Sequence, residues 1–181
     1  MRKDIVAVGY AGALRAAEIT KKQERELRER FRSSFIDAVL APDYGRLPEG
    51  FPDDPEDRTK RTDLIKRIRE GAEPAEAIPV KPERGFLGTA FDLAVLRKCG
   101  LRLEQKKIPI LQSSVEILEL YGENPYRART EGFLLLAGDG YALAEELRRQ
   151  ELPAACIGSL TEGLDKLIVD KSVPEYLNRN D

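Results

Sequence analysis

The chain has 181 residues, of which 34% are charged and 41% hydrophobic. Its 30 basic and 32 acidic residues leave a net charge of −2, which favours neither a nucleic-acid binder nor a membrane-surface protein. The complete lack of histidine argues against most hydrolase and zinc-enzyme mechanisms. No apolar run approaches the roughly 20 residues that cross a bilayer, and no signal-type segment follows the amino terminus. We therefore expect one cytoplasmic domain over residues 1–181.

The first part of the chain is predicted to be a buried strand at residues 5–9, followed by a long surface helix at 14–35. Residues 42–62 contain four prolines, Pro42, Pro48, Pro52 and Pro55, and predict a long irregular loop. A short helix is expected at 63–69. The acidic residues of the loop, Asp53, Asp54, Glu56 and Asp57, do not have EF-hand spacing, so we expect a solvated loop and no metal site.

In the second part of the chain, residues 85–98 are predicted to form a helix ended by Gly100, and residues 101–110 an edge or terminal strand. An S-x-x-E capping box at Ser113 to Glu116 predicts the start of a short helix that ends at Gly122. A strand at 133–137, a helix running to about residue 150 and a strand at 154–158 form the clearest unit, and a last strand is expected at 166–169. The predicted fold is α+β, with a mixed sheet whose helices pack mainly on one face.

Three groups of polar residues have a functional and a structural interpretation. Asp139, with a glycine on each side, could lie at a phosphate site, but its carboxylate favours a helix N-cap. Basic residues on the first helix alternate with glutamates, which indicates a solvated face. Glu83 and Arg84 open the helix at 85 and could either bind an anion or pair with each other. Cys99 and Cys156 are expected to be reduced and buried.

Residues 77–88 read AIPVKPERGFLG, which resembles an active-site turn of the form A-x-H-D-x-T-x-G-G-L-L-G. That turn is typical of the superfamily of aminoimidazole ribonucleotide (AIR) synthase, selenophosphate synthetase, thiamine-monophosphate kinase and the hydrogenase-maturation carbamoyl dehydratase. Pro79, Val80, Pro82 and Arg84 stand where the pattern has His, Asp, Thr and its first Gly. Further similar blocks are YAG at 10–12, GFLGTAFDLAVLRKCG at 85–100, IPI at 108–110, ELYGENPYRARTEGFLLLAG at 119–138 and AACIGSLTEG at 154–163.

The chain from residue 5 to about 169 thus resembles the C-terminal domain of this superfamily, and is most similar to its hydrogenase-maturation branch. In that superfamily the N-terminal domain forms the dimer core and binds the nucleotide. Nothing in this chain resembles its acidic, magnesium-binding segment, so the resemblance implies no ATP site and no cofactor here. Glu83 and Gly85 remain of the turn, and after YAG the acidic position of the branch's G-L-E-G-T pattern is apolar.

The resulting prediction is a stand-alone, non-catalytic domain that binds a ligand or a protein partner. Its candidate anion- or ligand-binding residues are Arg15, Glu83, Arg84 and Gly85. We expect a homodimer, or a hetero-complex with a protein that carries an ATP-binding domain, and no binding to nucleic acid or membranes. One alternative is half of a split ATP-dependent synthase or hydrogenase-maturation-type enzyme. Another is a purely structural homodimer.

Overall fold

A computed structural model of the chain describes residues 3–40 and 76–180. These residues contain seven strands and six helices. The strands are β1 (Lys3–Val8), β2 (Glu76–Pro79), β3 (Gly100–Leu103), β4 (Phe133–Ala137), β5 (Ala154–Thr161), β6 (Lys166–Ile168) and β7 (Glu175–Tyr176). The helices are α1 (Ala13–Lys22), α2 (Glu24–Arg30), α3 (Ser33–Leu40), α4 (Gly85–Leu96), α5 (Gln112–Leu120) and α6 (Gly140–Arg149). A short 3-10 turn (Gln105–Lys107) follows β3.

The strands form a single mixed sheet in the order β2-β4-β1-β5-β3-β6-β7. Neighbouring strands are antiparallel except for β3 and β6, which are parallel. Strands β4 and β5 each pair antiparallel with β1, so they run parallel to each other with β1 between them. The predicted strand, helix, strand unit is therefore present, and the α+β class with a mixed sheet is confirmed.

Two helices cover opposite faces of this sheet. Ile5 and Ala7 of β1 belong to the apolar cluster that contains the buried side of α4. Val6 and Val8 belong to the cluster that contains the buried side of α6. Successive side chains of a strand point to opposite faces, so a continuous apolar strand requires cover on both sides. Among the described helices, α6 alone contributes to the cluster on the second face.

The long helix predicted for residues 14–35 is wrong, because the chain forms three consecutive helices there. Gln23 separates α1 from α2, and Phe31 adopts extended backbone angles after α2. The two turns let Leu27 of α2 and Ile36 of α3 enter one apolar cluster that also includes residues of α1 and α5. Burial of apolar surface decides helix boundaries more strongly than local periodicity does.

The end of α4 also differs from its prediction. Val95, in the last turn of the helix, is 51% exposed. The residue with left-handed backbone angles is Lys98, at φ 53°, and not Gly100. Gly100 instead begins β3, which lies inside the sheet between β5 and β6. The predicted edge strand is therefore an internal strand of four residues.

Of the two predicted helix N-caps, the one at α5 is wrong and the one at α6 is confirmed. In α5 the N-cap is Leu111 and no side chain caps the helix, so the predicted capping box does not form. Gly122 does follow the helix with a left-handed φ of 71°. At α6, Asp139 Oδ1 accepts a hydrogen bond from the backbone N–H of Ala142 at 3.0 Å, which confirms the predicted N-cap.

Several predictions concern residues outside the described ranges. They are the proline-containing loop at 42–62, the short helix at 63–69 and the acidic residues of that loop. Within the described ranges both cysteines are free, with Cys156 buried and Cys99 half-buried. None of the helices described there is long and apolar enough to cross a membrane.

Candidate functional site

The turn that joins β2 to α4 is fixed by backbone hydrogen bonds. The N–H of Val80 donates to the carbonyl oxygen of Gly132 at 2.9 Å, and the carbonyl of Pro82 accepts from the N–H of Thr130 at 3.1 Å. The N–H of Lys81 donates to the hydroxyl of Thr89 at 3.1 Å. Val80 itself is only 5% exposed and belongs to the main apolar cluster. The turn therefore has the contacts of a structural element.

Gly85 has a backbone role at the start of α4. Its φ of 58° lies in the left-handed region, which residues other than glycine rarely adopt. A Cβ atom at this position would have only ordinary contacts, the nearest at 3.6 Å from two carbonyl oxygens. The glycine is thus required by backbone conformation and not by lack of space.

All three nitrogens of the Arg84 guanidinium group have hydrogen-bond partners within the domain. Its Nη2 lies 3.0 Å from Asp92 Oδ1, and its Nη1 donates to the carbonyl oxygen of Arg179 at 2.6 Å. Lys81 Nζ lies 3.0 Å from the second carboxylate oxygen of Asp92. Partial burial raises the pKa of Asp92, but hydrogen bonds from Arg84 and Lys81 outweigh it and hold that pKa below its ordinary value. The expected mutual pair of Glu83 and Arg84 is not observed.

Arg15 is paired with Glu123 across the domain. The Arg15 Nη2 lies 2.6 Å from Glu123 Oε1, and Arg15 Nε donates to both carboxylate oxygens at 3.0 and 2.9 Å. These hydrogen bonds lower the pKa of Glu123 and raise that of Arg15. Glu18, one helical turn further on, lies 3.6 Å from Arg15 Nη1. Both residues of the main pair are partly shielded from solvent.

Arg129 links this pair to the turn. Its Nη1 lies 2.5 Å from Glu18, and its Nη2 lies 3.3 Å from Glu83. We call the resulting chain of alternating charges the charge ladder. Its members are Glu123, Arg15, Glu18, Arg129 and Glu83. The structure therefore connects Arg15 to Glu83, which is next to Arg84 and Gly85, and so brings the four predicted site residues into one region.

Sequence reasoning missed the partners of these residues. Glu18 could have been found, because it is three residues from Arg15 on the same helix face. Glu123 and Arg129 lie more than 100 residues from their partners Arg15 and Glu18, and no local pattern reports such a contact. Asp92 is eight residues after Arg84, and the Arg84 side chain reaches it by lying along α4 over Gly88.

The charge ladder has little capacity for chemistry. It contains three carboxylates and two guanidinium groups, so it carries no excess of positive charge for an anion. Among the described residues no cluster of three or more His, Cys, Asp or Glu is suited to hold a metal ion. The arrangement ties α1 to the turn and to the segment before β4. Its evident effect is structural.

The start of α6 is unsuited to a phosphate because two carboxylates already accept hydrogen bonds from its free amides. Asp139 Oδ1 accepts from the N–H of Ala142, and Asp4 Oδ2 accepts from the N–H of Gly140 at 3.1 Å. Two carboxylates at one helix N-terminus repel an anion. The structural interpretation of Asp139 holds.

Comparison with known proteins shows the class of fold to which the domain corresponds. The fold is similar to about half of the chain in solved structures of a hydrogenase maturation protein and of a thiamine-monophosphate kinase, as the sequence resemblance predicted. No protein-family model and no curated protein matches the chain.

Among the solved structures, E. coli HypE, a hydrogenase maturation protein, is similar with a TM-score of 0.65 and 16% identity. The match covers 97% of this chain and 49% of HypE. Thiamine-monophosphate kinase from Stenotrophomonas maltophilia K279a matches with a TM-score of 0.59 and 21% identity, over 94% of this chain and 51% of the kinase. A complex of HypE with HypF also matches, with a TM-score of 0.59, 14% identity and 98% and 52% coverage.

The chain thus spans about half the length of the solved structures that it matches. At these identities the likeness establishes the fold. The activities and ligands of those proteins reach this chain only as proposals.

Proposed function

We propose that this domain is non-catalytic and acts by binding a protein partner, as a homodimer or in a hetero-complex. The observation that carries the proposal is the state of the turn at residues 79–85. Its candidate polar groups are engaged by opposite charges of the same domain, and Val80 is buried where an active-site turn would present a polar side chain. Pro79, Val80 and Pro82 occupy the positions at which the resembling pattern has His, Asp and Thr, so the turn lacks the polar groups for acid–base chemistry.

The segment at residues 10–14 offers little apolar surface to a partner, because Ala11 and Ala13 are buried. Large apolar side chains are instead exposed at the ends of α4 and α5, at the start of α6 and near the last strands. They are Val95, Leu96, Leu120, Tyr121, Tyr141, Leu164, Val173 and Tyr176. Such side chains contribute to association when a partner covers them.

A cytoplasmic location is part of the same proposal. It is supported by the two free cysteines, because reducing compartments keep thiols unpaired. The complex of HypE with HypF supports association as a use of this fold, although that complex is a property of those proteins.

A second candidate is one half of a split ATP-dependent enzyme. The half-length match favours it, since the matched structures include HypE in complex with ATP and a ThiL complexed with AMPPCP and TMP. In that case the other half would come from a partner with an ATP-binding domain. A purely structural homodimer is the third alternative that the sequence leaves open.

Association can be tested by light scattering at tens of micromolar, together with affinity purification from cells that naturally express the chain. We expect either a dimer or a partner in stoichiometric amount. A strict monomer without such a partner would contradict the proposal. A partner that hydrolyses ATP only when mixed with this chain would replace it with the split enzyme.

A further inference from the structure

A surface cleft lies at the opposite end of α4 from the turn. The helix has 12 residues, so the two ends are about 18 Å apart. The cleft has a volume of about 830 Å³ and is bordered by the end of α4, the start of β1 and the end of β5. It is therefore distinct from the charge ladder, and an inference from it does not depend on the proposed function.

Three cations converge on this cleft because of the sheet register. Lys3 lies on the same face of β1 as Ile5, and Ile5 packs in the cluster that contains α4. Lys3 is opposite Leu160 of β5, which is itself opposite Leu101 of β3. Lys98 comes just before β3, next to Arg97. The register thus places these cations at one end of one face.

The cations of the cleft are not fully neutralised, in contrast to those of the charge ladder. Arg97 pairs with Glu76, and Glu162 is the carboxylate among the described lining residues. Within the described part of the chain, neither Lys3 nor Lys98 has a carboxylate at ion-pair distance. The cleft therefore has an excess of positive charge.

The C-terminal end of a helix opposes this effect, because its free carbonyl groups carry a partial negative charge of about half a unit. At the end of α4 three of these carbonyls accept backbone hydrogen bonds. The N–H groups of Arg97, Lys98 and Cys99 donate to residues 93, 95 and 94 at 3.0, 3.1 and 3.0 Å. Two lysine charges exceed what remains of the helix dipole, so the local field favours an anion.

We propose that this cleft binds a phosphate-bearing small molecule. Lysine ammonium groups bind phosphate as point charges and do not require a fixed geometry. A cleft of this volume is in the range of about 300–1,000 Å³ that is typical of small-molecule sites, and it is larger than inorganic phosphate requires. Leu160 and Cys99 supply apolar lining for the body of the ligand.

Cys99 provides a built-in reporter for this site. Cys99 lines the cleft and is half-buried, whereas Cys156 is only 5% exposed. Alkylation of each cysteine can be followed by peptide mass spectrometry in the presence of glucose 1-phosphate, methyl glucoside or inorganic phosphate, with ionic strength matched by sodium chloride. Cys156 serves as the internal reference.

We expect glucose 1-phosphate to slow the alkylation of Cys99 saturably, by about tenfold at roughly ten times its Kd, because only the empty site reacts. Inorganic phosphate should also slow it, but at higher concentration. Methyl glucoside should have no effect. No slowing by glucose 1-phosphate, or equal slowing by methyl glucoside, would overturn the proposal.

Variants separate binding from general effects on the fold. Lys3→Gln with Lys98→Gln should abolish the protection of Cys99, and Lys98→Gln alone should weaken it if the double variant folds poorly. Lys171→Gln is the matched control, because Lys171 is an exposed lysine paired with Glu175 outside the cleft. Protection that persists in Lys98→Gln, or that is lost equally in the control, would overturn the assignment.

Discussion

The two ends of α4 differ in how their charges are used. At the Gly85 end, Arg84 is paired with Asp92, and Glu83 belongs to a charge ladder that is balanced within the domain. At the other end, two lysines line a cleft, and neither of them has a carboxylate at ion-pair distance among the described residues. Leu96, at the same end, is 80% exposed. Sequence resemblance directs attention to the first end. The physical properties of a binding surface, free charge and exposed apolar area, are found at the second.

Restoring the polar groups of the turn should have the largest effect on the free energy of unfolding. Val80→Asp places a carboxylate in the main apolar cluster, which should cost about 2–5 kcal/mol or raise the pKa of the new group. Pro79→His with Val80→Asp should be equally destabilised and inactive. Urea denaturation measures the change, and Pro79→His alone is the control, because Pro79 is exposed. A double variant of wild-type stability would show that the turn is not structural.

Removal of Arg84 should have a smaller effect. Arg84→Ala leaves Asp92 without its main partner and removes the bond to residue 179, so we expect a loss of about 1–2 kcal/mol. Glu83→Ala is the matched comparison in the same turn. Its carboxylate is 71% exposed, and its loss should cost well under about 1 kcal/mol. Equal losses of stability in Arg84→Ala and Glu83→Ala, measured by thermal or urea unfolding, would contradict the assigned pairing.

A double-mutant cycle on Arg15 and Glu123 tests the charge ladder itself. The pair has three short contacts but remains about one third exposed, so a coupling of about 1 kcal/mol is expected. Arg15→Met, Glu123→Gln and the double variant are compared by urea denaturation. Zero coupling would mean that the ladder only follows the fold and does not stabilise it.

The contribution of Glu123 and Asp92 to the pH dependence of the free energy of unfolding should be smaller than these effects. The pKa values of Glu123 and Asp92 are lowered in the folded state, so the unfolded chain binds more protons near pH 4. Their contribution is fully present above about pH 5 and is lost as pH falls through the lowered values. Glu123→Gln should therefore lose less stability than the wild type between about pH 6 and 3. A steeper acid loss in the variant would reverse this sign.

The sequence predicted strands well where the whole element is apolar. Residues 133–137 were predicted as a strand and form β4 with those bounds, because five consecutive apolar residues fit only a buried strand or helix and the flanking glycines limit the length. Asp139 was also correct, since an N-cap is a local interaction between residues three apart. In both cases interactions between residues close in sequence were sufficient for the prediction.

Predictions failed where contacts between distant residues decide the structure. The break of the first helix at Gln23 lets Leu27 and Ile36 join one apolar cluster with residues of α1 and α5, which no window of local sequence contains. The same holds for the candidate site. Arg15 was identified, but its partner Glu123 was not, and that partner changes the interpretation of the arginine from a free cation to half of an ion pair.

The central claim is that the turn at residues 79–85 does not form a nucleotide site, whatever the cleft at the other end of α4 binds. Calorimetric titration with Mg-AMPPCP tests it most directly. The account predicts that any binding is unchanged in Arg84→Ala, and that Lys3→Gln with Lys98→Gln, which lacks the proposed cleft site, binds no tighter than about millimolar, equivalent to about −4 kcal/mol. A dissociation constant in the low micromolar range, lost in Arg84→Ala without a change in melting temperature, would contradict it and would make the turn a functional nucleotide site.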